Sequence, residues 1–259
     1  MKYVKFFLII AFLCSAFCIH AELYAVIVGI SKYKDPSNNL IFAASDAKKF
    51  HDLLTGNKQN PNIVLLLDEK ATRSNIVNVI NTTFGKAKAS DRIIFFFSGH
   101  GTDGYFCQYD AGDSYEYLLN HEEIQNAFKR SKANVKMCII DACFAGSLKN
   151  ASASNKKSSV NLFKEYPVKS NTKKENVIIF TSSRDNQYSQ EDVFLGQGLF
   201  TYYLIQSFLG KADENNDKKV TAKEMYTYVR TNVAARTRNS QIPVMFGQFS
   251  ENTVIVSYK

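Results

Sequence analysis

Apolar residues cluster along the chain in short, nearly unbroken runs separated by stretches of helical period. Leu23 to Gly29, Ile63 to Leu67, Arg92 to Phe97, Val135 to Ile140 and Val177 to Phe180 each read as a buried strand, and Val254 to Val256 reads as a last one. Between them, Leu40 to Leu54 places Phe42, Ala43, Phe50, Leu53 and Leu54 at helical spacing, with Gly56 as the stop. Helices are also expected over Thr72 to Phe84, Glu122 to Phe128, Gly198 to Leu209 and Thr221 to Val233. Unbroken apolar strands alternating with helices predict an α/β fold, a mostly parallel sheet covered on both faces. In such sheets, ligands bind beyond the carboxyl ends of the strands.

The first residues follow another pattern. A short basic start, Met1 to Lys5, leads into an apolar run from Phe6 to Ile19, and His20-Ala21-Glu22 then turns polar. This predicts a signal peptide over residues 1–21, cleaved after Ala21 or Ala16, and hence a secreted or periplasmic protein with no stable membrane span. An uncleaved anchor is the alternative, although the run is short for a spanning helix. The remaining chain, 22–259, is expected to form one domain. Ser147 to Glu175, rich in Ser, Asn and Lys, is expected to be an exposed loop within it.

Composition narrows the classes. The 259 residues are 45% hydrophobic and 22% charged, with four prolines, as expected of a globular chain. The formal charge of +8 falls to +6 once Lys2 and Lys5 leave with the signal. No basic stripe interleaved with aromatics is present, so nucleic acid is not an expected partner. Signal removal also takes Cys14 and Cys18, leaving Cys107, Cys138 and Cys143. Three cysteines make no disulfide framework and raise the question of a reactive thiol.

Two strand ends carry the candidate chemistry. "IIFFFSGHG" runs a strand into His100, and "IIDACFAG" runs the next one into Cys143. If these strands are neighbours, the two residues meet on one edge of the sheet. A cysteine is nucleophilic as its thiolate, and a nearby imidazole takes its proton or lowers its pKa. Small residues around both, Gly99, Gly101, Ala142, Ala145 and Gly146, let a substrate backbone approach and leave N–H groups open to an oxyanion. Either residue alone is more often a core cysteine or a solvated histidine. The pair at matched strand ends is the informative signal.

These motifs resemble the caspase-like cysteine peptidases, and the metacaspase and bacterial branch more than the animal caspases. Beside "SGHG" and "DACFAG", "YAVIVGISKYKD" resembles the family's first strand, "LIFAASDAKKF" its first helix, and "GYFCQYDA" the segment after the histidine. The resemblance spans about Leu23 to Lys259 and implies a three-layer α/β/α sandwich. It implies a cysteine endopeptidase with His100 as base and acid, Cys143 as nucleophile, and the Gly101 and Cys143 amides as oxyanion donors. No cofactor is required. In the basic-specific branch, one aspartate in the first helix and another two residues before the cysteine line the pocket. The matching residues are Asp46 and Asp141, which implies cleavage after Arg or Lys. Asp46 also has a plain reading, as a helix residue bonded to nearby backbone.

In animal caspases an arginine follows the fifth strand. The corresponding stretch, "TSSRDNQYSQE", contributes Ser182 and Glu191 as candidate pocket residues, with Glu191 near the arginine's place. Arg184 on the same stretch is the competing, acid-specific element. The 147–175 loop sits where the family often cuts itself, so self-cleavage after one of its lysines, such as Lys149, Lys156, Lys164 or Lys174, is expected; a solvated charge run is the plain alternative. Partners are then protein or peptide substrates, with monomer or homodimer both open. The alternatives in function are an inactive caspase-like domain kept for binding, and an amidase or transpeptidase.

One further motif lies near the C-terminus. In "DENNDKKVTAKE", Asp213, Asn215, Asp217, the Lys219 carbonyl, Thr221 and Glu224 have the ligand spacing of a helix–loop–helix calcium loop. Lys218 stands where such loops have glycine. Thr221 to Glu224 is also a helix capping box. A structural Ca2+ site is an expectation here, and the acidic calcium cluster of metacaspases is not evident after Gly146.

Overall fold

The structure, a computed structural model, describes residues 21–56, 58, 60–102, 104–112, 117–143, 176–184 and 187–258. The expected signal segment and the Lys-rich 147–175 segment lie outside the described residues, apart from Ala21.

The strands, in chain order, are β1 (Leu23–Gly29), β2 (Ile63–Leu67), β3 (Arg92–Thr102), β4 (Tyr105–Phe106), β5 (Leu119–Asn120), β6 (Val135–Cys143), β7 (Asn176–Thr181), β8 (Glu191–Asp192), β9 (Gln197–Gly198), β10 (Lys219–Thr221), β11 (Val244–Gln248) and β12 (Val254–Ser257). The helices are α1 (Ala43–Thr55), α2 (Arg73–Phe84), α3 (His121–Arg130), α4 (Leu199–Gln206), continued by a wider turn at Ser207–Lys211, and α5 (Ala222–Arg236). The central sheet has the order β11-β7-β6-β3-β1-β2. Along this path all pairings are parallel except that of β11 with β7, and off it β4 pairs antiparallel with both β3 and β5.

Both faces of this sheet are buried, by alternate residues of the same strands. On one face Val26, Val28, Phe95, Phe97, Cys138 and Ile140 pack with Ile76, Ile80 and Phe84 of α2 and Ile124 and Phe128 of α3. On the other, Ala25, Ile27, Ile94, Phe96, Met137 and Ile139 pack with Ala47 and Phe50 of α1, Phe200 and Leu204 of α4, and Met225, Val229 and Val233 of α5. A strand covered on both sides has no polar face to alternate, which is why these strands read as unbroken apolar runs.

The strands at the centre are longer than their apolar runs. β3 continues past Phe97 to Thr102, and β6 past Ile140 to Cys143, so His100 and Cys143 belong to the strands instead of following them. The small and polar tails still form ladder hydrogen bonds, because each is flanked by a partner strand. The expected last strand, β12, pairs antiparallel with β10 in a separate two-stranded sheet. The sixth strand of the central sheet is β11, a Met- and Gly-containing segment without a continuous apolar run.

Candidate active site

The register between β3 and β6 pairs Ser98 with Asp141, Gly99 with Ala142 and His100 with Cys143. Adjacent strands lie about 4.8 Å apart, so in-register residues are direct neighbours. The two-residue period of β3 puts Ile94, Phe96, Ser98 and His100 on the α1 face, and that of β6 assigns positions 139, 141 and 143 to the same face. Gly101 follows His100 and pairs with Phe106 of β4.

His100 is held from two sides. Its backbone N–H donates to the Tyr33 hydroxyl at 2.8 Å, and its Nε2 lies 2.9 Å from the Asn38 carbonyl. A carbonyl can only accept, so Nε2 carries the proton and Nδ1 keeps its lone pair. Burial lowers the imidazole pKa below 6.5, against a smaller upward pull from the Asn38 carbonyl. Gly99 makes this anchoring possible: a Cβ there would stand 2.8 Å from the Tyr33 hydroxyl. The loop bearing Tyr33 and Asn38 is itself fixed. Asp68 accepts from the Ser31 and Lys32 amides, Asn39 from the Tyr33 amide, and Ser31 from the Ala44 amide.

The other two cysteines of the described chain lack the surroundings of a nucleophile. Cys107 and Cys138 are fully buried. Burial pushes the Cys107 thiol up to about 12 and raises that of Cys138 further. Neither forms thiolate readily at neutral pH.

Beside His100 opens a pocket of about 340 Å³. Asp46 of α1, Asp141 of β6 and Gly198 of β9 line it, with Glu191, Tyr188 and Leu40 among the other lining residues. Both aspartates are almost inaccessible, at 1% and 6% exposure. Asp46 Oδ2 accepts from the Gly198 amide at 2.9 Å, while Oδ1 has no hydrogen-bond partner of sound geometry. Burial first and the charge of Asp141 second push the Asp46 carboxyl up to about 8; the Gly198 amide, Lys49 and Gln197 oppose this. Burial also raises Asp141, against the hydroxyls of Ser189, Thr201 and Ser182. Thr201 donates to Asp141 Oδ2 at 2.7 Å and Ser189 to Oδ1. Asp46 thus bonds backbone, but that of Gly198, far along the chain, and is itself among the residues lining the pocket.

The remaining candidates divide. Glu191 lies at the pocket mouth, where Oε1 accepts from the Phe42 amide at the start of α1, 2.8 Å away. Ser182 does not line the pocket. It is fully buried behind Asp141, its amide bonded to the Ile140 carbonyl. Arg184 is exposed and outside the pocket lining. Sequence reasoning missed Tyr33, the Asn38 carbonyl, Ser189, Gly198 and Thr201. It also missed Gln241, which donates to the Ser182 carbonyl and Ser189 Oγ and accepts from the Gln190 amide. None of these stands in a recognisable motif; only the fold brings them to the two strand ends.

In the C-terminal loop, Asp213 accepts from the Asp217 and Lys218 amides and the Tyr258 hydroxyl, Asn215 from the Asp217 amide, and Asp217 from the Lys219 amide. Lys218, in the glycine position, has φ +63°, in the left-handed region. Glu224 bonds the Thr221 amide and hydroxyl, completing the capping box of α5. Among the described residues no group of three or more His, Cys, Asp or Glu side chains is placed to hold a metal ion.

Comparison with known proteins agrees with this architecture. The chain is similar to the solved structure of protein GSU0716 from Geobacter sulfurreducens, with TM-score 0.60 and 16% identity over 88% of this chain and 94% of that one. At that identity the likeness bears on the fold. No curated protein sequence matches. The family model of the caspase domain matches residues 22–253, nearly the whole chain after the N-terminal apolar run. The protein belongs to the caspase domain family.

Proposed function

We propose that the protein is an exported cysteine endopeptidase that uses His100 and Cys143 and cleaves after Arg or Lys. The observation that carries this reading is the register match of His100 with Cys143 beside a pocket lined by Asp46 and Asp141. Family membership supports a peptidase-like function and protein substrates. The apolar N-terminal run supports export. Among the described residues no helix is long and apolar enough to cross a membrane.

In the proposed reaction, neutral His100 takes the thiol proton of Cys143, and the thiolate attacks the scissile carbonyl carbon. The Gly101 and Cys143 amides receive the developing oxyanion. The imidazolium then gives its proton to the leaving amine as the C–N bond breaks, leaving a thioester. A water, deprotonated by the same imidazole, hydrolyses the thioester and restores the thiol. The Asn38 carbonyl keeps the imidazole in the required tautomer and favours its cationic form in the intermediate. The basic side chain preceding the scissile bond enters the pocket, where desolvated carboxylates pair with ammonium or guanidinium. This chemistry draws on no metal. Self-cleavage within 147–175 follows from the same specificity, since that segment is rich in lysine.

Hydrolysis of fluorogenic peptides ending in Arg, Lys or Asp, beside a Cys143→Ala control, tests the reading. Cleavage after Arg or Lys that disappears in the control is the expected result. Cleavage after Asp would overturn the pocket assignment, and no cleavage by folded protein, intact or nicked within residues 147–175, would overturn the peptidase.

A further inference from the structure

The two pocket carboxylates are unequally occupied. Asp141 spends both oxygens on hydroxyls, Ser189 at Oδ1 and Thr201 at Oδ2. Asp46 spends Oδ2 on the Gly198 amide, while its buried Oδ1 has no hydrogen bond of sound geometry, the Gln197 side chain lying near enough only to lower the carboxyl's pKa. A Cβ on Gly198 would stand 2.8 Å from Asp46 Oδ2 and 3.0 Å from Asp141 Oδ2, so the absent side chain is the gap between the carboxylates.

Little positive charge faces this pair. From α1, Lys49 is the cation whose charge reaches Asp46, and its ammonium is bound 2.9 Å from the Gly196 carbonyl. β3 contributes His100, neutral at pH 7 because burial lowers its pKa. β8 and the loop before it contribute Glu191, whose carboxylate holds the Phe42 amide, and Tyr188. β9 and α4 present Gln197, Gly198 and Thr201, all uncharged. Two buried carboxylates this close and this poorly neutralised cannot both stay ionised in an empty pocket at neutral pH.

We propose that the pocket is a proton-for-cation exchange site: a substrate's ammonium or guanidinium group binds at the Asp46 carboxylate and expels the proton held by the carboxylate pair, with Gly198 keeping the gap open and Asp141 supplying the field. The inference rests on the reading that this pocket takes a basic side chain. In the exchange, the O–H bond of the Asp46 carboxylic acid breaks, the proton leaves to solvent, and the carboxylate accepts an N–H hydrogen bond from the cation. The value of about 8 for Asp46 agrees with a proton present at neutral pH. The result is a pocket that holds one carboxylate charge, on Asp141, instead of two while empty, and whose grip on basic residues strengthens with rising pH.

Calorimetric titration of the full-length protein with benzamidine, a compact amidinium, tests this in buffers of different ionisation heat. At pH 7 the expected result is release of close to one proton per ligand bound, falling towards none at about pH 9.5. Affinity should rise by about tenfold per pH unit below the pKa of the pair and level off above it. Release should persist in His100→Gln, which excludes the imidazole as its source. Asp141→Asn, by removing the repelling charge, should reduce the release at pH 7, and Gly198→Ala should weaken binding at every pH. Binding at pH 7 without proton release would overturn the exchange while leaving the basic pocket standing. No binding even at pH 9.5 would overturn the basic pocket and the exchange together.

Discussion

His100 and Cys143 are in-register partners on two adjacent parallel strands, β3 and β6. Parallel neighbours share strand direction, so both residues stand at the same carboxyl-terminal edge, where α/β sheets bind their ligands. From this relationship we predict that Cys143→Ala abolishes peptide hydrolysis and that His100→Ala lowers kcat by about 10²–10⁴-fold, the usual worth of a positioned acid–base group. Hydrolysis of Arg- and Lys-terminated fluorogenic peptides measures both.

Thiol chemistry should single out one cysteine. Cys107 and Cys138 are buried with raised pKa values. Brief treatment of folded protein with iodoacetamide at pH 7, followed by peptide mass mapping, should modify Cys143 and leave those two untouched until denaturant is added. Alkylation of Cys107 at a comparable rate would contradict their burial.

The pH profile should reflect the desolvated imidazole. His100 must be neutral to act as base, and burial places its pKa below 6.5. Measured as kcat at saturating substrate, where proton exchange in the pocket no longer limits, activity should therefore fall on the acid side with a midpoint below 6.5. A midpoint at pH 7 or above would show that the imidazole is stabilised in its charged form.

Tyr33→Phe removes the acceptor of the His100 amide while keeping the ring that packs 5.2 Å from the imidazole. An unsatisfied half-buried N–H costs about 1–3 kcal/mol. The expected outcome is a modest loss of thermal stability together with a drop in kcat of about tenfold, KM being little changed. The split between kcat and KM separates mispositioning of His100 from damage to the pocket.

Asp46→Asn should stabilise the fold at alkaline and neutral pH and lose that advantage in acid. The folded pKa of Asp46, about 8, lies above its unfolded value near 3.8, so the folded protein binds the extra proton between those limits. Stability of the wild type therefore falls as pH rises through that window, and the asparagine variant escapes the fall. Denaturant melts at pH 4 and pH 8 should give nearly equal stability at the first and a gain of up to about 5 kcal/mol at the second. Loss of cleavage after Arg and Lys should accompany the gain in stability.

The legibility of the site in the sequence follows the physics of each part. β2 is bounded where its apolar run is bounded, because both of its ends are marked by polar turns. The ends of β3 and β6 were not legible, because "SGHGT" and "DAC" lack strand-like side chains and are held extended by their neighbours. β11 went unseen because its apolar run is short and broken by Gly247, at φ +123°, where a Cβ would stand 2.2 Å from the Val177 carbonyl oxygen. Ser182 was assigned to the pocket from its place in the chain, yet it is fully buried outside the pocket lining, one residue past the end of β7.

The sequence by itself determined the layered α/β architecture, since residues buried on both faces must be apolar at every strand position. It also pointed to His100 and Cys143 as positions in equivalent places after apolar runs, and the two are in register. The tertiary structure alone decided the anchoring of His100 by Tyr33 and Asn38, the unequal occupation of Asp46 and Asp141, and the opening left by Gly198. Those depend on contacts between residues up to 152 positions apart, as between Asp46 and Gly198. Hydrophobic pattern is a local property of a strand or helix, whereas the state of a buried carboxylate depends on every neighbour that the completed fold brings to it.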